Sequence, residues 1–264
     1  MDRILIAVVV RSNSQRLANK WALPIAGIPA LGLLVSRYQF RLNAGNPRFW
    51  SSLKHEFVIC TSSNSDDDMI ARYASYLGVD CFRGDSQSVA LRLTDAAKRR
   101  GYDYVMRLTG DNPLVDFHLI EELIDYNRGE SFDYSVINRL PVGVSGEIFS
   151  VDLLRQIVSA TSEQPGASEY LTFFISENPL LHLRIAISKE TFSEIEVKYN
   201  FGMDNRADYL FLLNLISRVD PISCGVSDLV EAVKSLISHG QLPPQSSSRS
   251  RDELPFNFRL ENRQ

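Results

Sequence analysis

An apolar run, Ile4-Leu5-Ile6-Ala7-Val8-Val9-Val10, passes without a break into Arg11-Ser12-Asn13-Ser14-Gln15-Arg16-Leu17-Ala18-Asn19-Lys20, and this junction constrains the fold more than any other part of the chain. An unbroken apolar stretch rich in β-branched residues reads as a strand buried on both faces, the kind found in parallel sheets. The polar loop behind it holds three cations, Arg11, Arg16 and Lys20. Its Asn13 and Asn19 suit an anion-wrapping turn, because Asn tolerates positive φ better than any residue but Gly. Open α/β sheets bind phosphorylated ligands at the carboxyl end of a first strand. The same segment also reads as a solvated loop that is merely basic. It is not a Walker loop, since GxxxxGK[ST] is absent, and no GxGxxG follows the strand as a dinucleotide-binding fold would require.

The rest of the chain repeats the pattern. Strand-like runs at residues 56–61, 79–82 and 102–108 alternate with helical periodicity at 29–42, 65–77, 86–100 and 116–126. Repeated strand, loop and helix predict a mostly parallel sheet covered on both faces. Asp66-Asp67-Asp68 falls in the first turn of the second of these helices. There the acids complement the helix dipole, and Ser65 with Asp68 forms a capping box. The second half predicts strands at 133–137 and 146–149 and an exposed or edge strand at 181–187. Helices are predicted at 151–160 and 168–176, up to 216 after Asp204, and over a last segment with Val226, Leu229, Val230, Val233, Leu236 and Ile237 at helical spacing.

With 264 residues the chain fits one large domain, expected over 1–240, and a polar tail at 241–264. That tail is expected to be flexible, with Leu254-Pro255-Phe256-Asn257-Phe258 able to dock on a neighbour. A net charge of −4 argues against a nucleic-acid partner, which needs a broad cationic face. Cations clustered in an acidic protein point instead to a local site for a small anion. No apolar run approaches the roughly 18 residues of a membrane span, and Met1-Asp2-Arg3 leads straight into a strand rather than a secretory signal. Cys60, Cys81 and Cys224 are widely spaced and predicted to be buried free thiols, which fits a cytoplasmic location. The four histidines have no metal-ligand spacing.

Two aspartates complete the pattern. Gly110-Asp111 ends a central strand and would share a crevice with the basic loop. Asp is a natural ligand for Mg²⁺, which takes few protein oxygens; Gly-Asp-Asn-Pro is equally good turn sequence. Asp204 follows a short apolar stretch and precedes a helix, so it reads either as a second metal ligand or as an N-cap.

Together these segments resemble the cytidylyltransferase family. The opening motif from Val10 to Lys20 is similar to the family's first block. Phe82-Arg83-Gly84, Val89 and Arg92, and Arg107-Leu108-Thr109-Gly110-Asp111-Asn112-Pro113 resemble the next ones in order. Glu147-Ile148-Phe149-Ser150, Glu169-Tyr170-Leu171-Thr172 and Met203-Asp204-Asn205-Arg206 resemble the later ones. The branch it looks most like is the spore-coat-polysaccharide type, related to acylneuraminate and 3-deoxy-octulosonate cytidylyltransferases. The resemblance implies a Rossmann-like nucleotidyltransferase fold, α/β, with a central mostly parallel twisted sheet. It also implies transfer of CMP from CTP to a small polar acceptor, such as a sugar acid, sugar or phosphorylated or phosphonate compound, with loss of pyrophosphate.

The catalytic set so implied is Arg11, Arg16, Lys20 and Asp111, with Asp111 and Asp204 holding Mg²⁺. Val10, Ser12, Asn13, Arg83, Gly84, Arg92 and Gly110 would join the cations around the nucleotide, Arg83 and Arg92 facing the cytosine. Glu147, Glu169 and Tyr170 would meet the acceptor. Relatives often form homodimers. Where Val142, Ser145, Ser168 and Tyr170 stand, relatives commonly carry Asp, Asp, Arg and His, which implies an altered acceptor. Transfer from another nucleoside triphosphate, or a non-catalytic scaffold that still binds a nucleotide, are the competing readings.

Overall fold

The structure, a computed structural model, describes residues 1, 3–14, 16–240 and 258–260. Its opening strand β1 (Arg3–Val9) lies at the heart of the sheet. Successive side chains of a strand point to opposite faces, and here the alternation divides the core. Ile4, Ile6 and Val8 enter one apolar cluster, while Leu5 and Ala7 enter another on the far side. An unbroken apolar run is the sequence that such a doubly covered strand demands.

After β1 come a small antiparallel pair, β2 (Pro24–Ile25) and β3 (Ile28–Pro29), then α1 (Ala30–Phe40) and the short α2 (Pro47–Ser51). Next are β4 (Lys54–Ser62), α3 (Asp68–Tyr76), β5 (Asp80–Gly84), α4 (Val89–Arg100), β6 (Tyr104–Thr109) and α5 (Phe117–Tyr126). The second half adds β7 (Tyr134–Asn138), β8 (Glu147–Ser150), α6 (Val151–Ala160), α7 (Leu171–Ser176), β9 (Leu183–Ile187), α8 (Arg206–Ile216) and α9 (Val226–Ser238). The main sheet runs β5-β4-β1-β6-β8-β7-β9. β8 is antiparallel to both of its neighbours, and the other pairings are parallel. This is the mostly parallel, doubly covered Rossmann-like sheet that the sequence predicts. Residues of α1, α3, α5, α8 and α9 pack in the first cluster, and those of α4, α6 and α7 in the second.

The edge strand predicted at 181–187 is β9, whose Leu183, Ile185 and Ile187 are exposed. Cys60 and Cys224 are buried and Cys81 half-buried, all three as free thiols. Burial pushes the Cys60 thiol up to about 12, which makes it unreactive. Among the described residues no helix is long and apolar enough to cross a membrane. The tail predicted at 241–264 lies mainly outside the described residues. Phe258, however, is fully buried against this chain's own α7 side of the sheet.

One buried cation ties the segment between α8 and α9 to α1 and to the loop before α5. Arg37 of α1 is 4% exposed, and its guanidinium donates to the carbonyls of Val115 (2.9 Å), Pro221 (2.6 Å) and Cys224 (2.7 Å). Its five N–H groups in a fixed fork can serve three carbonyls at once, which an ammonium on a flexible stem cannot do in this geometry. We predict that Arg37→Met, which keeps the apolar stem, costs about 3 kcal/mol by orphaning those buried acceptors. Urea unfolding measures it, and a loss under about 0.5 kcal/mol, the scale of a surface change, would contradict the assignment.

Candidate active site

The basic loop is shaped by Ser12 and Asp67. Ser12 is buried, and its N–H donates to Asp67 Oδ1 at 2.7 Å. Its carbonyl accepts from the N–H groups of Ser14 (3.0 Å) and Asn19 (3.1 Å), and its hydroxyl accepts from Trp21 Nε1 (3.2 Å). The other Asp67 oxygen accepts from the backbone N–H (3.1 Å) and hydroxyl (2.5 Å) of Ser62, at the end of β4. A carboxylate 2% exposed therefore binds the loop after β1 to the end of the neighbouring strand β4. This corrects the capping box expected of Ser65 and Asp68: a 3₁₀ turn, Ser65–Asp67, precedes α3 and no side chain caps either element, although Asp66, Asp67 and Asp68 do stand in their first turns. Asn19 adopts the expected left-handed conformation, φ 51°. Asn13 does not, and the described non-glycine residues with positive φ are Asn19, Ala26 and Arg139.

With the loop so fixed, its cations meet the two aspartates. Lys20 Nζ donates to Asp111 Oδ2 at 2.5 Å and reaches Asp204 Oδ1 at 3.4 Å; Arg16 Nη2 donates to the same Asp204 oxygen at 2.8 Å. The two aspartate loops are also joined through backbone, Met203 N–H to Asp111 carbonyl at 2.8 Å. Burial pushes the Asp111 carboxyl up, but the Lys20 ammonium and the Thr109 hydroxyl outweigh it and hold the group below the ordinary carboxylate range. Asp204 is free for this contact because its neighbour caps α8. Asn205 accepts from the N–H groups of Ala207 (2.8 Å) and Asp208 (3.1 Å), while Asp208 Oδ2 accepts from the N–H of Asn205 at 3.0 Å, a complete capping box. Gly110 permits the close approach of the β6 end to β1, since a Cβ there would lie 2.8 Å from that of Val10.

These groups open on a cavity of about 490 Å³, large enough for a nucleotide-sized ligand. Five cations (Arg11, Arg16, Lys20, Arg92 and Arg107) and three carboxylates (Asp111, Glu169 and Asp204) line it, in a chain whose net charge is −4. Across the cavity Arg11 makes a two-point ion pair with Glu169, Nη1 to Oε1 at 2.5 Å and Nη2 to Oε2 at 3.0 Å. Arg92 is 1% exposed; its Nε donates to the Asp85 carbonyl at 3.0 Å and its Nη1 has no partner among the described residues. Arg107 is oriented from behind by Glu147, whose other oxygen accepts from the Tyr134 hydroxyl at 2.5 Å.

The family model for cytidylyltransferases matches residues 5–219. The chain belongs to the cytidylyltransferase family. It is 28% identical over 210 residues to the spore coat polysaccharide biosynthesis protein SpsF of Bacillus subtilis, covering 79% of this chain and 84% of that one. An uncharacterised protein of Methanocaldococcus jannaschii is 26% identical over 229 residues, 87% and 89% of the two chains. The solved structure of a cytidylyltransferase from Leptospira borgpetersenii superposes with a TM-score of 0.74 at 26% identity, covering 94% and 98%. Chemistry of the nucleotidyltransferase type follows for the family: a nucleoside triphosphate passes its nucleotidyl group to a small acceptor and pyrophosphate leaves.

Of the residues singled out in the sequence, Val10, Arg11, Arg16, Lys20, Arg92, Gly110, Asp111, Glu169, Tyr170 and Asp204 border this cavity in the cytidylyltransferase fold. Ser12, Asn13, Arg83, Gly84 and Glu147 are not part of its lining. Ser12 is spent inside the loop, and Glu147 on Arg107. Arg83 donates to the carbonyls of Ser62 (3.1 Å) and Asn64 (2.7 Å) and pairs with Asp68 at 2.6 Å. Of the four positions where relatives carry other residues, Val142, Ser145, Ser168 and Tyr170, only Tyr170 borders the cavity. Ser168 is fully buried, accepting from the Val89 N–H at 2.9 Å and donating to the Pro165 carbonyl at 2.7 Å. Val142 holds the segment before Asp204 by backbone, donating to the Tyr199 carbonyl and accepting from the Phe201 N–H, both at 2.9 Å. The Ser145 hydroxyl is buried.

Sequence reasoning did not single out Trp21 or Phe173 for the cavity, nor Arg107 and Thr172 beyond their places in the family-like blocks. Strand periodicity could have found Arg107, because it lies two residues before Thr109, which also borders the cavity.

Asp67 makes the loop sensitive to acid. Burial raises its carboxyl, but the Ser62 hydroxyl and the N–H groups of Ser12 and Ser62 bring it below the ordinary value. A depressed folded value means that the stabilisation is complete above the unfolded value of about 3.9 and disappears as pH falls through the folded one. We predict that Asp67→Asn is less stable than the wild type by about 2 kcal/mol at neutral pH. Denaturant unfolding at a series of pH values should show that gap closing below about pH 4. A gap independent of pH would contradict the role.

Proposed function

We propose that the protein transfers CMP from CTP to a small polar acceptor, a sugar acid, sugar or related phosphorylated or phosphonate compound, in surface-glycan or related biosynthesis. The observation that carries this reading is Lys20 standing between Asp111 and Asp204 at one end of a cationic cavity. Arg11, Arg16 and Lys20 hold the triphosphate, and their donors are directed to where negative charge grows as the leaving group departs. An acceptor oxygen forms a bond to the α-phosphorus while the bond to the α–β bridging oxygen breaks. Pyrophosphate carries the electron pair away, and the acceptor's proton passes to solvent or to a carboxylate such as Glu169.

Asp111 and Asp204 fit a divalent cation, since their carboxylates already converge on one positive charge. Two carboxylates are what Mg²⁺ takes from a protein when water and phosphate oxygens complete its shell. When bound, it would neutralise charge that builds on the phosphates. Arg92 is the candidate for the base: it borders the cavity, and its Nη1 has no partner among the described residues and is a donor that suits a ring carbonyl such as that of cytosine. Arg83, turned to Ser62, Asn64 and Asp68, has no part in this proposal. Glu169 and Tyr170 face the acceptor, and Glu147 acts on it only by orienting Arg107. The name of the SpsF relative, which concerns spore coat polysaccharide, supports an acceptor from surface-glycan synthesis.

Thermal shifts with the four common nucleoside triphosphates and Mg²⁺ test the base. CTP should raise the melting temperature most, because binding to the native state stabilises it by mass action; equal shifts would contradict cytidine selectivity. Pyrophosphate release with CTP across a panel of sugar acids and phosphorylated or phosphonate acceptors tests the reaction. Lys20→Ala and Asp111→Asn should each reduce turnover at least roughly a hundredfold, and near-wild-type rates in both would reject their roles.

A further inference from the structure

The acceptor-side wall of the cavity is built by one stretch of chain, residues 165–178, and both of its ends are fastened. At the first end the buried Ser168 hydroxyl accepts from the Val89 N–H at the start of α4. At the second end Asn178 follows α7, and its amide clasps the backbone of a distant segment. Nδ2 donates to the Phe258 carbonyl at 2.9 Å, and Oδ1 accepts from the Leu260 N–H at 2.8 Å. Phe258 is fully buried. Its ring meets Phe174 edge-on, centroids 5.1 Å apart at 80°, and lies 5.3 Å from the ring of Phe173. Phe173 in turn stacks on Tyr170 at 6.1 Å and 26°, and both of these rings border the cavity. A continuous series of rings therefore leads from the C-terminal segment to the acceptor wall.

We propose that residues 258–260 form a strap that fixes this wall, with Phe258 and Asn178 as positioning residues for the acceptor. Terminal segments stay unordered unless they are tied down. Here the tie combines an aromatic plug and a two-point amide contact, in a place where it supports a face of the cavity. α7 is short, Leu171–Ser176, and a helix of that length depends on tertiary packing for its position. Removing the plug leaves Phe173 and Tyr170 unsupported from behind, while the loop of Arg11, Arg16 and Lys20 keeps its own tie at Asp67. The strap rests on the reading of this wall as the acceptor side, given above.

The test uses the full chain. In Phe258→Ala, amide exchange over residues 171–178 should accelerate by roughly tenfold or more, with β1 and α1 unchanged. Phe258→Leu, which keeps an apolar plug, should stay near the wild type. Asn178→Ala should repeat the effect of Phe258→Ala, which guards against a folding defect peculiar to one variant. The thermal shift with CTP and Mg²⁺ should persist in all three variants. With whichever panel acceptor releases pyrophosphate fastest, the KM of Phe258→Ala for that acceptor should rise about tenfold, with kcat much less changed. Unchanged exchange over 171–178, or equal acceleration throughout the chain, would overturn the strap. If the wild type itself releases no pyrophosphate with any acceptor, the transferase reading fails, and the exchange measurements alone decide the strap.

Discussion

A single ammonium, that of Lys20, draws together three stretches of chain that are far apart in sequence. Its own loop follows β1, Asp111 follows β6, and Asp204 precedes α8, so one charge joins residues separated by most of the domain. Two carboxylates facing each other across a narrow space repel unless a cation separates them. The site therefore depends on that cation, and on the backbone bond between Met203 and Asp111 that brings the carboxylates side by side. Fixing the cation is in turn the work of Ser12 and Asp67. Without their hydrogen bonds the loop after β1 would be a solvated basic segment with no defined shape.

The sheet's central strands were legible because burial on both faces leaves a strong mark, an apolar run with no polar interruption. The helices with one apolar face were legible from their 3.6-residue spacing, as in α5 and α9. The reversal of β8 was not. A four-residue strand, Glu147–Ser150, carries too little pattern to say which way it runs, and its direction comes from the backbone partners that β6 and β7 supply. The pair β2 and β3 escaped for the same reason, being two residues each.

Within the site, charge was easier to read than position. The cations of the first loop and the aspartates after β6 and before α8 stand out because a charge at a strand end needs a reason. Which acid does which task is a matter of a single residue's shift. Asn205, not Asp204, caps α8, and that displacement leaves Asp204 to face Lys20. Asp67 looked like one of three helix-start acids because its two partners, Ser12 and Ser62, come from other elements and leave no local spacing to detect. Ser168 and Val142 likewise seemed to belong to the acceptor, since a family motif records which residue changed and not which way its side chain turns.

The pair Arg11 and Glu169 spans the cavity with both partners in contact with solvent, their side chains 45% and 31% exposed. Attractions between wetted charges are screened by dissolved ions over about 8 Å at physiological strength and over shorter distances as salt is added. The bridge between the loop after β1 and the segment before α7 thus slackens in brine and tightens in dilute buffer. The hold between these two walls of the cavity therefore varies with the electrolyte outside.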